Sequence, residues 1–234
     1  MRIQGISGSR GVAVGNVYKY IQEEIVIPDY EVTDDQVEAE IGKFASAMAA
    51  TLKQLDTIRQ KALVDMGADE AAIFEAHMQI AQDPSLSDGI KSLVENSKMN
   101  VVAATAQTIE TFAAIFIGMD DPYMRERGAD IKDIGDRLMR NMLGMNPRGL
   151  SHISGEVIIV AHDLAPSDTA SLDKNVVKGI VTAAGGPTSH AAIMARTLEI
   201  PAVMGVGDIE SFTDDVRAVV LGTDGEVITE PSDE

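Results

Sequence analysis

The chain has 234 residues, 45% of them hydrophobic, which is enough for one large or two small domains with folded cores. Its 19 Lys and Arg residues against 37 Asp and Glu residues give a net charge of −18, which argues against nucleic acid or an anionic membrane as a partner and favours a basic protein. The absence of cysteine excludes disulfides, thiol nucleophiles and thiolate metal sites.

The first segment, residues 1–32, is predicted to be β-structure. Apolar and aromatic residues recur there at a spacing of two and share one face of a strand: Val12, Val14, Tyr18 and Tyr20. A second apolar run, Ile25–Ile27, stops at Pro28.

The apolar period changes to three and four after Thr33, which predicts a long helix. Thr33 and Gln36 have the spacing of a capping box. The stripe that follows covers roughly eight helical turns. Its members are Val37, Ile41, Phe44, Met48, Leu52, Leu55, Ile58 and Ala62. A stripe of this length requires other helices to cover it.

Three further helical stretches follow and provide that cover. The first is predicted to begin near Asp69 and to have a break at Pro84. The second is predicted to begin at the capping residue Asn100, and the third after Pro122. Gly144 stands where a helix-terminating glycine is expected. Residues 33–145 are therefore predicted to form an antiparallel helical bundle.

After Pro147 the composition indicates an α/β segment of β-branched runs separated by Gly and Pro. The predicted strands are 157–160, 176–181, 201–206, 216–221 and 226–229, with short helices over 167–172 and after Ser189. We expect one α/β domain built from residues 1–32 and 146–234, interrupted by the helical bundle of residues 33–145.

The motif that carries chemistry joins two glycines to a histidine at a helix start. Gly185 and Gly186 allow close backbone approach, and Thr188 and Ser189 precede His190. Backbone N–H groups and the dipole at a helix N-terminus favour an anion and disfavour the imidazolium, which leaves a neutral, nucleophilic ring. This pattern suits phosphoryl acceptance, although a lone histidine near a helix start is more often a cap or a packed residue than a nucleophile.

Other polar residues receive structural interpretations. Arg196 lies about 240° around the helix from His190, so we interpret it as structural. His77 falls within an apolar helical pattern and is expected to be packed or at the edge of a groove. His152 and His162 lie in loops or at strand ends, and no pair has metal-ligand spacing.

Several stretches resemble one family closely. Residues 185–205 resemble the phosphohistidine signature shared by enzyme I of the phosphoenolpyruvate-dependent sugar phosphotransferase system, pyruvate phosphate dikinase and phosphoenolpyruvate synthase. Residues 5–15, 72–77 and 126–135 look like enzyme I in particular. The likeness covers nearly the whole chain and stops where that family's N-terminal domain stops.

The resemblance implies an α/β phosphohistidine domain of the swivelling type with an inserted all-α subdomain. In the family, the residue matching His190 is phosphorylated at Nε2 by phosphoenolpyruvate and passes the group to the carrier protein HPr. Phosphoenolpyruvate and magnesium bind a separate C-terminal barrel domain, so we expect no cofactor or metal here. The chain alone is expected to exchange phosphoryl groups with phospho-HPr and to be a monomer.

The resemblance also assigns supporting and partner-binding residues. Thr169 matches the hydroxyl that orients the active imidazole in the family. The positions matching the HPr-docking face of the helical subdomain are Asp69, Glu70, Phe74, His77, Ile80, Asp83, Leu86 and Arg127. The alternatives are a paralogue of the nitrogen-regulatory branch, the swivelling domain of a dikinase or synthase, and an acidic scaffold that only docks proteins.

The sequence also bears on cellular location. The start of the chain lacks the apolar core of a signal peptide, and its longest apolar run, residues 112–117, is far short of the ~20 residues of a membrane-spanning helix. We therefore expect a soluble, cytoplasmic protein without membrane insertion.

Overall fold

The computed structural model describes residues 1–21, 23–145, 150, 153, 155–170 and 172–230. It divides the chain into two compact units. The helical unit is Glu24–Arg148, and the α/β unit joins Met1–Glu23 to Gly149–Glu234.

The segment before the first helix belongs to the helical unit. The Val32 N–H donates to the Lys98 carbonyl (2.8 Å), and Nδ2 of Asn100 donates to the Pro28 carbonyl (2.8 Å). The helical unit therefore begins at Glu24 rather than at residue 33. The prediction of a strand at Ile25–Ile27 was wrong, because these residues have no strand partner among the described residues.

The helical unit contains five described helices: α1 (Val37–Asp65), α2 (Ala68–Ala81), α3 (Pro84–Ser97), α4 (Val101–Ile117) and α5 (Pro122–Leu143). Their ends follow the sequence signals. Asn100 Oδ1 accepts the Ala103 N–H (2.9 Å) at the start of α4, and Gly144 adopts φ +66° after α5. Half of the expected capping box forms before α1, where Gln36 Oε1 accepts the Thr33 N–H (3.1 Å).

Helix α5 packs with its apolar face on α4. Ile131, Ile134 and Leu138 are almost fully buried in the core shared by these helices. Gly135 permits the close approach, since an added Cβ would lie 2.6 Å from two carbons of Ile109.

The α/β unit is built on one mixed sheet. Its described strands are β1 (Arg2–Gln4), β2 (Ile6–Ser9), β3 (Val12–Tyr20), β4 (Val157–Ala161), β5 (Val177–Thr182), β6 (Ala202–Met204), β7 (Arg217–Leu221) and β8 (Glu226–Thr229). Their order is β1-β8-β7-β3-β4-β5-β6-β2, in which β3 to β6 run parallel and the other pairs are antiparallel. Two short helices, α6 (Pro166–Ala170) and α7 (His190–Thr197), follow β4 and β5.

The two edges of this sheet curl toward each other. Strands β1 and β2 lie at opposite ends of the strand order, although only Gly5 separates them in the chain. The Gly5 N–H donates to the Gly225 carbonyl (2.8 Å), and a Cβ on Gly222 would overlap the Ser9 carbonyl oxygen. Glycines therefore provide the space in which the sheet closes.

Strand β3 was predicted correctly, but the predicted face points to solvent. Val12 is 66% exposed, whereas Ala13 and Val17 on the opposite face are buried in the core. On the inner face the position of Gly15 excludes a side chain, because a Cβ there would lie 3.0 Å from the Glu156 carbonyl oxygen on the neighbouring chain segment.

The parallel strands determine where the short helices lie. Strands β4 and β5 are hydrogen-bonded neighbours that end at Ala161 and Thr182. Because parallel strands end at the same edge of a sheet, the loops after them, and the helices α6 and α7, start at that edge.

Candidate functional site

The loop after β5 is held by backbone and side-chain hydrogen bonds. The Thr182 hydroxyl donates to the Ala184 carbonyl (2.7 Å), and the Ala184 N–H donates to the His162 carbonyl (2.9 Å). Gly185 adopts φ +91°, and a Cβ there would contact Ser189 Oγ at 3.2 Å. Gly186 faces open space. Only the first glycine is therefore required by this loop conformation.

Ser189 ends the loop and caps helix α7. Its Oγ accepts the Ala192 N–H (3.3 Å), and its carbonyl accepts the Ile193 N–H (3.0 Å). His190 is consequently the first residue of the helix, as predicted from the sequence. Thr188 is exposed beside it.

The His190 side chain is half-buried at this edge of the sheet. Its Nε2 atom exposes less than 1 Å² in this conformation. A group transferred to Nε2 from outside therefore requires the ring to rotate or the loop to shift.

Arg196, at the far end of α7, fixes the loop from outside. Its Nη1 donates to the carbonyls of Pro187 (2.8 Å) and Gly8 (2.8 Å). These bonds tie the loop before His190 to strand β2. Arg196 thus has a structural role in holding this loop.

Helix α6 places a buried polar segment against α7. Thr169 is fully buried, and its hydroxyl donates to the Pro166 carbonyl (2.9 Å). Its hydroxyl proton is thus used within α6, so Thr169 could meet an imidazole N–H only as an acceptor. A direct role of Thr169 in orienting His190 stays a prediction.

Sequence reasoning missed Asp168, the neighbour of Thr169. Its carboxylate is fully buried, accepts the Tyr20 hydroxyl (2.8 Å) and accepts the Ala165 N–H (3.0 Å). This contact joins the end of β3 to α6. Local sequence patterns contain no signal for it, because the two residues are 148 positions apart.

Three residues of the expected partner-binding face are buried in the helical unit. Phe74, His77 and Leu86 are at most 2% exposed, so they cannot contact a partner in this conformation. His77 lies between two carboxylates of α5: its Nε2 is 3.1 Å from Asp130 Oδ1 and its Nδ1 is 3.8 Å from Asp133 Oδ2. The packed interpretation of His77 is confirmed, and its assignment to the contact surface is corrected.

The remaining positions of that face reach the surface. Asp69 and Asp83 are exposed, and Glu70, Ile80 and Arg127 are partly exposed. The described part of the face therefore combines carboxylates with one aliphatic side chain and one guanidinium.

The structure adds exposed apolar residues around the turn from α4 to α5. They are Ile115 (56% exposed), Ile117 (47%), Met119 (38%) and Met124 (38%). The signal in the sequence was that Ile115 and Ile117 fall outside the buried stripe of α4. Ile115 and Ile117 lie on α4, and Met124 lies on α5. Helix α5 packs against both α4 and the acidic helix α2.

Within the described residues, no group of three or more His, Asp or Glu side chains has the geometry to hold a metal ion. None of the described helices combines the length and apolar character needed to cross a bilayer.

Comparisons with known families match both parts of the chain. The family described as "PEP-utilising enzyme, N-terminal" matches residues 4–127. The family described as "PEP-utilising enzyme, mobile domain" matches residues 153–225.

Individual relatives point the same way. The chain is 42% identical over 233 residues to the phosphoenolpyruvate-protein phosphotransferase of Listeria monocytogenes, covering 99% of this chain and 40% of that protein. It is 41% identical over 237 residues to the Staphylococcus carnosus protein of the same name, again covering 40% of it. The chain thus spans about two-fifths of the length of these relatives.

Two solved structures share the fold. A solution NMR structure of an Enzyme I protein (nEIt) has a TM-score of 0.87 and 38% identity, covering 99% of this chain and 94% of that one. The N-terminal domain of "Enzyme 1 - Nitrogen" has a TM-score of 0.66 and 24% identity, covering 98% and 94%. The second likeness concerns the fold alone.

Proposed function

We propose a phosphotransfer function, since this chain belongs to the enzyme I family of phosphoenolpyruvate-protein phosphotransferases and corresponds to its N-terminal region. In this function the chain carries a phosphoryl group on His190 and exchanges it with the carrier protein HPr. The observation that carries this proposal is the position of His190, the first residue of a serine-capped helix, directly after a loop with a left-handed glycine.

The chemistry is a reversible transfer between two imidazoles. The lone pair of neutral His190 Nε2 attacks the phosphorus of phospho-HPr, the new N–P bond forms, and the HPr nitrogen departs with its electron pair. The positive end of the α7 dipole favours both the neutral ring and the dianionic phosphoryl group. Because Nε2 is shielded here, rotation of the ring or a shift of the loop must come first, and we propose this rearrangement as a step of the cycle.

The carrier is proposed to dock on the helical unit. The exposed carboxylates Asp69 and Asp83 attract a basic partner and speed its approach. Ile117 and Met124 supply apolar surface for the centre of an interface. The buried residues Phe74 and His77 support the helices from beneath rather than contacting the carrier.

The original phosphoryl donor is proposed to be phosphoenolpyruvate, bound with magnesium by a C-terminal domain that corresponds to the rest of the relatives' length. In a chain that contains that domain, His190 would accept the group there and deliver it to HPr. The residues 1–234 alone would perform only the second exchange, with no metal of their own.

The test is incubation of the chain with ³²P-labelled phospho-HPr. We expect label on the chain in an acid-labile, base-stable form, typical of a phosphoramidate, and its complete loss in His190→Ala. His162→Ala is the matched control, since His162 is an exposed histidine of the same unit. Labelling that survives in His190→Ala, or that disappears in His162→Ala with the fold intact, would contradict the proposal.

The fold likeness to the nitrogen-branch domain motivates a second candidate, in which the carrier is the HPr-like protein of nitrogen regulation. Parallel assays with both phosphorylated carriers separate the two. Faster labelling of His190 by the sugar-branch carrier supports the first candidate, and the reverse order supports the second. A nucleotide requirement for labelling in the full-length protein would instead indicate a dikinase or synthase.

A further inference from the structure

A groove of about 540 Å³ lies on the α/β unit between β2 and α7. Ser7–Arg10 line one side of it, and Arg196 and Glu199 line the other. This groove is separate from the site around His190, because His190 is not one of the residues that line it.

The groove presents hydrogen-bond donors that have no acceptor among the described residues. Nη1 of Arg196 binds two carbonyls, while its Nε and Nη2 have no acceptor there. The Arg10 guanidinium is exposed and has no ion pair within the described residues. Ser9 also lines the groove and is only 5% exposed.

The Arg196 guanidinium is pre-positioned for a ligand. Its two bonds to backbone carbonyls fix the plane of the group, so the remaining N–H donors point in set directions without further loss of side-chain entropy. Planar guanidinium forks match the oxygens of phosphate groups, and the hydroxyl of Ser9, which lines the same groove, can add a third bond. Two arginines at one groove also stand out in a chain of net charge −18.

One carboxylate opposes this arrangement. Glu199 lines the same groove and is exposed. The two guanidinium groups outnumber it, so the groove retains a net positive charge. Removing the Glu199 charge should therefore strengthen the binding of an anion, whereas removing an arginine charge should weaken it.

We propose that this groove binds the phosphate group of a small phosphate monoester. The volume of about 540 Å³ exceeds what a phosphate ion fills, which leaves room for a short organic body. Arg10, Ser9 and the free edge of Arg196 would hold the phosphate oxygens. The inference stands on the groove alone and does not depend on the proposed function of His190.

The test is an NMR titration of the whole 234-residue chain with glycerol 3-phosphate, and separately with inorganic phosphate, at constant ionic strength set by sodium chloride. We expect saturable shifts of the Ser9 and Arg10 amides and the Arg196 Nε–H, with glycerol 3-phosphate binding more tightly. Loss of one charge-assisted contact should raise the Kd about fivefold or more in Arg10→Gln. Ser9→Ala should raise it less, and Glu199→Gln should lower it.

Arg217→Gln is the control, because Arg217 is an exposed arginine of the same unit outside the groove. Arg196 stays unchanged in the test, since it also holds the loop before His190. Shifts that sodium chloride reproduces, an unchanged Kd in Arg10→Gln, or a Kd raised equally by Arg217→Gln would overturn the proposal. Equal affinity for inorganic phosphate and glycerol 3-phosphate would overturn the assignment to a monoester.

Discussion

The two units bury different kinds of polar groups. The helical unit buries ionisable side chains, among them Glu40, His77, Asp133, Arg137 and Arg140. The described part of the α/β unit buries mainly hydroxyls, with Asp168 as its buried carboxylate. Its close contacts are instead backbone contacts made possible by glycines, such as Gly222 and Gly225. The stability of the helical unit should therefore depend on charge, and that of the α/β unit on backbone space.

Glu40 is the clearest case of buried charge. The residue is 7% exposed, and its Oε1 accepts the Tyr30 hydroxyl (3.0 Å) and Lys43 Nζ (2.7 Å). Its Oε2 accepts the Val101 N–H (2.8 Å) at the first turn of α4. One carboxylate on α1 thus holds the segment before it and the start of a helix 61 positions away.

The largest effect is expected from Glu40→Gln. The amide retains one acceptor oxygen, so either Val101 N–H or the Tyr30 and Lys43 donors lose their partner. We expect the free energy of unfolding of the helical unit to fall by about 2–3 kcal/mol, as measured by urea denaturation followed through residue-resolved NMR signals.

Glu38→Gln provides the matched control. It removes the same charge from an exposed position near the start of α1, and it should change stability by less than about 0.5 kcal/mol. If both variants lose the same amount, net charge rather than the Glu40 contacts would account for the effect.

An intermediate effect is expected in the α/β unit from Gly185→Ala. The residue has φ +91°, and the new Cβ would press on the capping Ser189. We therefore expect a loss of about 1–2 kcal/mol in stability and a slower rate of the proposed phosphoryl exchange at His190. Gly186→Ala adds the same methyl one position later, where no atom lies within 4 Å, and should be nearly neutral. Equal losses in the two variants would show that the loop conformation does not depend on Gly185.

This contrast also explains what could be predicted from the sequence. Helix ends were predictable because caps act locally: Asn100 and Gly144 each bind or turn within a few residues. The helix start at His190 was predictable for the same reason, since Ser189 caps its own helix. The positions of strands β4 to β8 followed from β-branched runs, with ends shifted by at most two residues.

Long-range contacts were not predictable. In the sequence, nothing distinguishes Glu40 from the other acidic residues of its helix, and only the tertiary fold brings it to Val101. The buried face of β3 was missed because its inner residues, Ala13 and Gly15, are small for steric reasons that arise on a neighbouring segment. The expected contact surface failed at Phe74 and Leu86 because apolar residues on an amphipathic helix give no sign of which contact a partner and which fill the core.

The smallest effect, and the one that separates the two units most directly, is the dependence of stability on pH. Burial raises the pKa of Glu40, but the hydrogen bonds from Lys43, Val101 and Tyr30 outweigh it and hold that pKa below its usual value of 4.5. The hydrogen bond to Glu40 raises the pKa of Lys43 above 10.5. The stabilisation from Glu40 is thus fully present above pH 4.5 and is lost as the pH falls through the lowered value. That from Lys43 is fully present below pH 10.5 and is lost as the pH rises through the raised value.

Amide hydrogen exchange and urea denaturation at a series of pH values would measure the acid and alkaline limbs of the stability–pH profile, where stability falls at low and at high pH. We expect the helical unit to lose stability below about pH 4.5 and above about pH 10.5, by less than the Glu40→Gln effect, because a protonated Glu40 keeps part of its contacts. In Glu40→Gln the acid limb should flatten, and the alkaline limb should weaken because Lys43 loses its carboxylate. An acid limb of unchanged size in Glu40→Gln would assign the pH dependence to other carboxylates, such as Asp34, whose pKa is lowered by its hydrogen bond to Lys98.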